Sequence, residues 1–221
     1  MSDGEISKPA PGRVSFPGQV YYSALFDSAE DVSVTAKATI LIAKLPGLWT
    51  SAYLTMGARE TNVCVIRHGT FHYIYDAYAL IEASGKIPYD PIQESRLVAA
   101  FGVSKPQLSV RDDFRLKKWV GGTEAFFGKA WDKGHFIAHS IGGAVDKCEL
   151  NVFVQSRKLN RGWTMEGKLF RRMEKYCAQN PGTFCFSRPI YTDGSARPAL
   201  LEFGLLKSDG APWVEVFDNR S

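Results

Sequence analysis

No pair of cysteines in this chain has the spacing of a disulfide framework or a thiol metal site. Cys64, Cys148, Cys177 and Cys185 include no C-x-x-C, and a 221-residue chain can bury enough core to fold without bridges, so they read as mostly free, buried thiols. The N-terminus lacks the basic stretch and apolar run of a secretory leader, and no apolar run approaches the length of a membrane span. The cytoplasm is therefore the default expectation and no membrane partner is expected, although export without a cleavable leader would leave the same signature. Neither HExxH nor a phosphate-cradling glycine loop is present, which removes zinc proteases and P-loop nucleotide enzymes from consideration. Internal repeats and low-complexity tracts are also missing. An excess of one sign of charge is small too: a formal net charge of +4 permits a polyanionic partner without requiring one. What remains is a globular composition, 45% apolar and 23% charged, in a length that needs only one domain.

Residues 1–19 are rich in Pro, Gly, Ser and charge and read as a flexible N-terminal arm, leaving 20–221 as a single domain. KATILIAKL, TNVCVIRHG and FHYIYDAYALI are dense in β-branched and aromatic residues and read as strands. PIQESRLVAAFGV reads as a short helix, with Pro91 in its first turn and Gly102 near its end. Residues 104–130 look largely irregular. GHFIAHSIGG reads as a strand, which would put His135 and His139 on one face, and ELNVFVQ reads as a second strand. SRKLNRGW then turns into a helix capped by Thr164, with Met165, Leu169, Phe170, Met173, Tyr176 and Cys177 as its apolar stripe and Asn180-Pro181-Gly182 as its stop. Three strands follow, TFCFSRPIY, ALLEFGLLK and PWVEVFD. The sum is an α+β fold with a central, largely antiparallel sheet and a strand-strand-helix insert.

That insert concentrates the chemistry. Phosphodiester hydrolysis needs a base for water, a cation at the phosphate and leaving oxygen, and donors that hold the backbone. His135, at a strand end beside Gly134, suits the base, because an imidazole titrates near neutrality. Asn160 offers a hard carbonyl oxygen to Mg²⁺, an ion that keeps most of its waters and needs few protein ligands. Lys133, Arg157, Lys158, Arg161, Arg171 and Arg172 supply positive charge.

These residues resemble the DNA/RNA non-specific endonucleases of the ββα-metal, or His-Me finger, superfamily. The family's Asp-Arg-Gly-His is matched by Asp132, Lys133, Gly134 and His135, its N-x-x-x-Q strand by Asn151 and Gln155, and its Leu-Asn-x-Gly by Leu159, Asn160, Arg161 and Gly162. The strand and Pro-aromatic turn of TFCFSRPIYTDG also look like the piece that follows the family's catalytic helix. The resemblance implies a ββα-metal core over about residues 131–178, His135 as general base, Asn160 as the direct protein ligand of Mg²⁺, with Mn²⁺ as a substitute, and Asn151 as a residue orienting His135 or the site. Asp132 and Lys133 would shape the strand end and approach the phosphate. It further implies Mg²⁺-dependent cleavage of both DNA and RNA with little sequence preference. Two positions depart from the family. Lys133 stands where Arg is usual, losing the bidentate fork and shifting that contact towards Arg161. Position 168, where the family's water-holding Glu is expected, is Lys, which leaves Glu166 and Glu174 as alternatives.

Blander readings accompany each residue. Asn151 and Asn160 could be turn formers, Glu166 a partner of the helix dipole and Glu174 a solvated or Arg-paired side chain. A catalytically silent nucleic-acid-binding module is a second function class, and a structural zinc protein using His135, His139 and Cys148 a third. A non-specific nuclease endangers its host, which argues for export or for an inhibitor or immunity protein as partner.

Overall fold

The computed structural model describes residues 16–27, 32–56, 62–76, 96–106, 128–143 and 149–220. The chain is α+β. Its main sheet is antiparallel, six-stranded, and ordered β1-β2-β3-β6-β7-β8: β1 (Val63–His68), β2 (Phe71–Asp76), β3 (Arg96–Val103), β6 (Phe184–Ile190), β7 (Leu200–Leu206) and β8 (Pro212–Asp218). Between β3 and β6 the chain leaves the sheet to build a separate antiparallel pair, β4 (Trp131–His135) with β5 (Val152–Ser156). The short helix α3 (Arg157–Asn160) and the longer α4 (Met165–Gln179) complete this excursion. Before the sheet come α1 (Ser23–Asp27) and α2 (Val34–Met56). No helix among the described residues is long and apolar enough to cross a membrane.

The sheet is covered on both faces. On one, Leu41, Leu45, Trp49 and Tyr53 of α2 pack on Ile74, Val98, Phe101, Phe184, Phe186 and Leu206. On the other, Phe170, Met173 and Cys177 of α4, with Phe136 and Phe153 of the small pair, pack on Tyr73, Leu97, Leu201, Phe203, Leu205 and Phe217.

Two segments differ from their sequence reading, and both differences come from this double cover. KATILIAKL is the first half of α2, not a strand. Its buried positions Lys37, Ala38, Leu41, Leu45, Trp49 and Tyr53 recur every three or four residues. Ser33 starts the helix by accepting a hydrogen bond from Ala36 N at 3.2 Å. Pro46 and Gly47 cost together about 4 kcal/mol in a helix interior, but burying four large apolar side chains returns about 6 to 12 kcal/mol, so the stripe wins. The expected helix PIQESRLVAAFGV is instead the strand β3, with residues 91–95 outside the described residues. Seven of its eight residues are buried, so the alternation that marks a half-exposed strand is erased and the helix-forming Ala99 and Ala100 mislead. A register shift opposite Ile74 and Tyr75 blurs the period further. Gly102 is required by packing: a Cβ there would lie 2.2 Å from the Thr70 carbonyl oxygen.

Smaller corrections concern the excursion. GHFIAHSIGG is strand only up to His135. Residues 139–141 form a 3-10 turn, so His135 and His139 do not share a strand face. Glu149–Asn151 is likewise a 3-10 turn ahead of β5. Thr164 does cap α4, its hydroxyl accepting from Gly167 N at 3.0 Å, and the stripe is buried at Phe170, Met173 and Cys177, whereas Met165 is exposed. Cys64, Cys177 and Cys185 carry free thiols, with Cys64 only half-buried. Cys148, residues 77–81 of the third expected strand, residues 107–127 of the expected irregular stretch and residues 1–15 of the expected arm lie outside the described residues. The remainder of that arm is engaged, since Gly18 O accepts from buried Arg188 at 2.8 Å.

Candidate active site

The register of β4 on β5 explains the glycine of the Asp-Lys-Gly-His run. Asp132 pairs with Gln155 and Gly134 with Phe153, so these four occupy one face of the ribbon. The buried Gln155 side chain lies across Gly134, where a Cβ would come within 2.2 Å of Gln155 Oε1. Lys133 and His135 occupy the opposite face with Val152 and Val154.

Asp132 is the hub of the charged residues. Its Oδ1 accepts from Arg157 Nε at 2.9 Å and from an Arg161 Nη at 3.1 Å, and its Oδ2 accepts from Arg161 Nε at 2.7 Å and from Asn160 Nδ2 at 3.2 Å. Burial pushes the Asp132 carboxyl up, but hydrogen bonds from Arg161, Asn160 and Arg157, with the charge of Arg161, outweigh it and hold the group below the ordinary carboxylate range. Asp132 therefore gathers Arg157, Asn160 and Arg161 around one carboxylate, with all four of these bonds donated to it. Arg157 and Arg161 are correspondingly half-neutralised rather than free cations. Because Nδ2 of Asn160 is committed to Asp132, the amide presents Oδ1 elsewhere. A carbonyl oxygen so oriented suits a hard, largely hydrated ion such as Mg²⁺. Among the described residues no group of three His, Cys, Asp or Glu is placed to hold a metal ion, and the zinc set proposed from sequence includes Cys148, which is outside them.

Asn151 acts on backbone. Fully buried, it accepts from Ile137 N at 2.9 Å and donates to Ile137 O at 2.8 Å, while its own carbonyl accepts from Phe136 N at 3.0 Å. The chain leaving His135 is thus clamped on three bonds to Asn151. Phe136 stacks on Phe153 with centroids 4.2 Å apart and stiffens the same bend. Nε2 of both His135 and His139 is buried, and that of His139 has no hydrogen-bond partner among the described residues. Lys133 is half-buried, and burial lowers its pKa.

The two candidate glutamates separate cleanly. Glu166 is exposed in the first turn of α4, where the helix dipole accounts for it. Glu174 is half-buried, and burial raises its carboxyl to about 7 against the opposing charge of Arg171. Arg172 lies over Trp213 of β8 at 5.4 Å and so belongs to a different surface from Arg161.

Sequence reasoning missed Asn219. Buried completely, it accepts from Ser156 N at 2.8 Å and donates to Val154 O at 3.1 Å and Pro198 O at 2.8 Å, which ties β5 to the end of the main sheet. No local signal could have revealed it, because its β5 partners Ser156 and Val154 lie more than sixty residues away. Arg197 over Trp131, at 4.8 Å, braces the start of β4 in a similar way.

No known family profile matches the chain, and no curated protein matches it in sequence. Among solved structures it is similar to an extracellular endonuclease, at 14% identity and a TM-score of 0.34, over 74% of this chain and 81% of that one. It is also similar to an extracellular nuclease, at 11% identity and a TM-score of 0.33, over 75% of this chain and 88% of that one. Both likenesses are distant, and a fold by itself does not fix an activity.

Proposed function

We propose that this protein is a Mg²⁺-dependent endonuclease acting on DNA and RNA, with the ββα-metal core formed by β4, β5, α3 and the first turns of α4. The observation that carries this reading is the Asp132 carboxylate, which holds Asn160 by its amide nitrogen and Arg161 by its guanidinium in one group, three residues before His135 on the same strand. With its nitrogen bound to Asp132, the Asn160 amide keeps its oxygen for a hard cation, and the Arg161 guanidinium on the same carboxylate can meet phosphate charge. His135 takes the proton from the attacking water, and its position is fixed by the Asn151 clamp on the residues that follow it. Lys133 and Arg161 neutralise the non-bridging phosphate oxygens. Mg²⁺, when bound at Asn160 Oδ1, would stabilise charge on the leaving oxygen. Of the two glutamates we assign Glu174 to the site, because its half-buried carboxyl is held at about 7 and its charged neighbour Arg171 reaches the Arg161 carbonyl at 3.3 Å. Contacts dominated by phosphate and sugar would give little sequence preference.

The test is incubation of supercoiled plasmid and total RNA with protein in Mg²⁺ and in EDTA, beside His135→Ala. Loss of both substrates that needs Mg²⁺ and falls by about 100-fold or more in the variant is expected. Cleavage unchanged in His135→Ala, or unchanged in EDTA, would refute the mechanism.

A further inference from the structure

The turn between α3 and α4 indicates what kind of nucleic acid the proposed site takes, and the inference rests on the nuclease reading above. α3 ends on the left-handed Gly162 (φ 69°), with Gly162 N donating to Leu159 O at 3.2 Å and Trp163 N to Lys158 O at 3.0 Å. This paired closure fixes the backbone of Trp163. Close packing fixes it from the other side, since a Cβ on Gly167 would lie 2.7 Å from Lys158 O. Yet the indole is 61% exposed, and Met165 beyond it is 79% exposed. A large apolar ring held in water by a rigid turn is unfavourable in the free protein and becomes useful only when something covers it.

The surroundings specify the cover. The Arg161 guanidinium lies over the ring, 5.4 Å from its centroid, while the same group binds Asp132. Arg171 reaches across the turn to donate to Arg161 O at 3.3 Å, and only a glycine at 162 leaves room for it, because a Cβ there would be 2.9 Å from Arg171 Cδ. Lys158 and Lys168 are exposed nearby in the chain. A flat π-surface set among cations, three residues from Asn160 and joined to its anchoring carboxylate through Arg161, complements a base attached to a phosphodiester.

We propose that Trp163 is a stacking platform for an unpaired nucleobase beside the scissile phosphate, so that single-stranded nucleic acid is the favoured substrate. In a duplex each base is already covered on both faces, and the indole could engage one only after it had been unstacked. A single strand offers its bases at no such cost.

The experiment titrates the protein in EDTA with short oligo-dT and with a duplex of the same length, following tryptophan emission, for the wild type, Trp163→Phe and Trp163→Ala. Oligo-dT should quench a component of the emission that is absent in both variants. Trp163→Ala should lose about tenfold in affinity for oligo-dT and less than about twofold for duplex, while Trp163→Phe should keep most of the affinity because it keeps a ring. Equal losses on the two ligands, a Phe variant as weak as the Ala variant, or no quenching from Trp163 overturns the proposal. The last result would assign the exposed ring to a protein partner instead. Binding is read without turnover, so a protein that stacks oligo-dT but never cuts overturns the nuclease reading and leaves Trp163 as a single-strand binding contact only. A protein that cuts in Mg²⁺ with no Trp163-dependent preference does the reverse.

Discussion

Two carboxylates bound to guanidinium, one on the main sheet beneath α2 and one on the β4-β5 pair that covers the other face, are built to opposite specifications. On the α2 face, Glu202 accepts from Arg188 Nε at 2.6 Å and from the Tyr22 hydroxyl, which in turn accepts from Trp49 Nε1 at 2.9 Å. Arg188 and Glu202 are about 1% and 3% exposed. Burial, with the charge of Glu202, raises the Tyr22 pKa well above its ordinary value and keeps the phenol protonated. On the β4-β5 pair Asp132 is 12% exposed and its partner Arg161 47%. The sealed network has no access to a ligand and serves to lock α1 and the preceding segment onto the sheet. Its open counterpart keeps similar chemistry within reach of solvent, at the junction of two short elements. Charge buried on all sides can serve only architecture, and charge left within reach of solvent can also meet a ligand.

The widest separation of the two should come from Glu202→Ala. Arg188 would be left buried and uncompensated, which costs about 3 to 5 kcal/mol and should lower Tm by about 10 °C in a thermal melt. A shift no larger than that of an Asp132 variant would erase the distinction. Asp132→Asn should do the opposite, dropping plasmid cleavage about 10- to 100-fold and raising the Mg²⁺ concentration required, while Tm moves by only a few degrees. Wild-type cleavage in Asp132→Asn would mean that the hub does not organise the site. Glu174 gives the finest test. Its carboxyl is raised from 4.5 in the unfolded chain to about 7 in the folded one, so the stability associated with it is complete below about pH 4.5 and is lost as pH rises through about 7. Relative to wild type, Glu174→Gln should therefore melt at nearly the same temperature below about pH 4.5 and up to about 10 °C higher at pH 8. Parallel curves would show that the group is not enclosed.

The same contrast explains what was legible in the sequence. Strands β6, β7 and β8, the Thr164 cap and the helix stop at Asn180 are local patterns, and all were readable. The helix α2 was not, because Ile40 and Ile42 argue locally for a strand, and only the opposing sheet reveals that Leu41, Leu45 and Trp49 are the positions that matter. Strand β3 failed for the complementary reason, being covered on both sides. At the candidate site, the types and order of Asp132, His135, Asn151 and Asn160 could be seen, but their division of labour could not. That Asp132 grips Arg157, Asn160 and Arg161, and that Asn151 holds the Ile137 backbone, depends on how a ribbon and a four-residue helix meet. Asn219 left no trace, since its meaning exists only across the assembled fold.

That residue also sets an order of events. The edge of β5 finds its Ser156 and Val154 partners in a side chain sixty-three and sixty-five positions further along the chain, and the opposite face waits on pairings as remote as Tyr22 with Glu202. During synthesis the ribbon bearing His135 would leave the ribosome well before the residue that tethers it, and contacts this distant form late. The frame around the Asp132 group therefore closes only once Asn219 has been made, and a chain that stops short of that residue and is still threaded through its ribosome, itself an assembly rich in RNA, would carry the motif without its finished support.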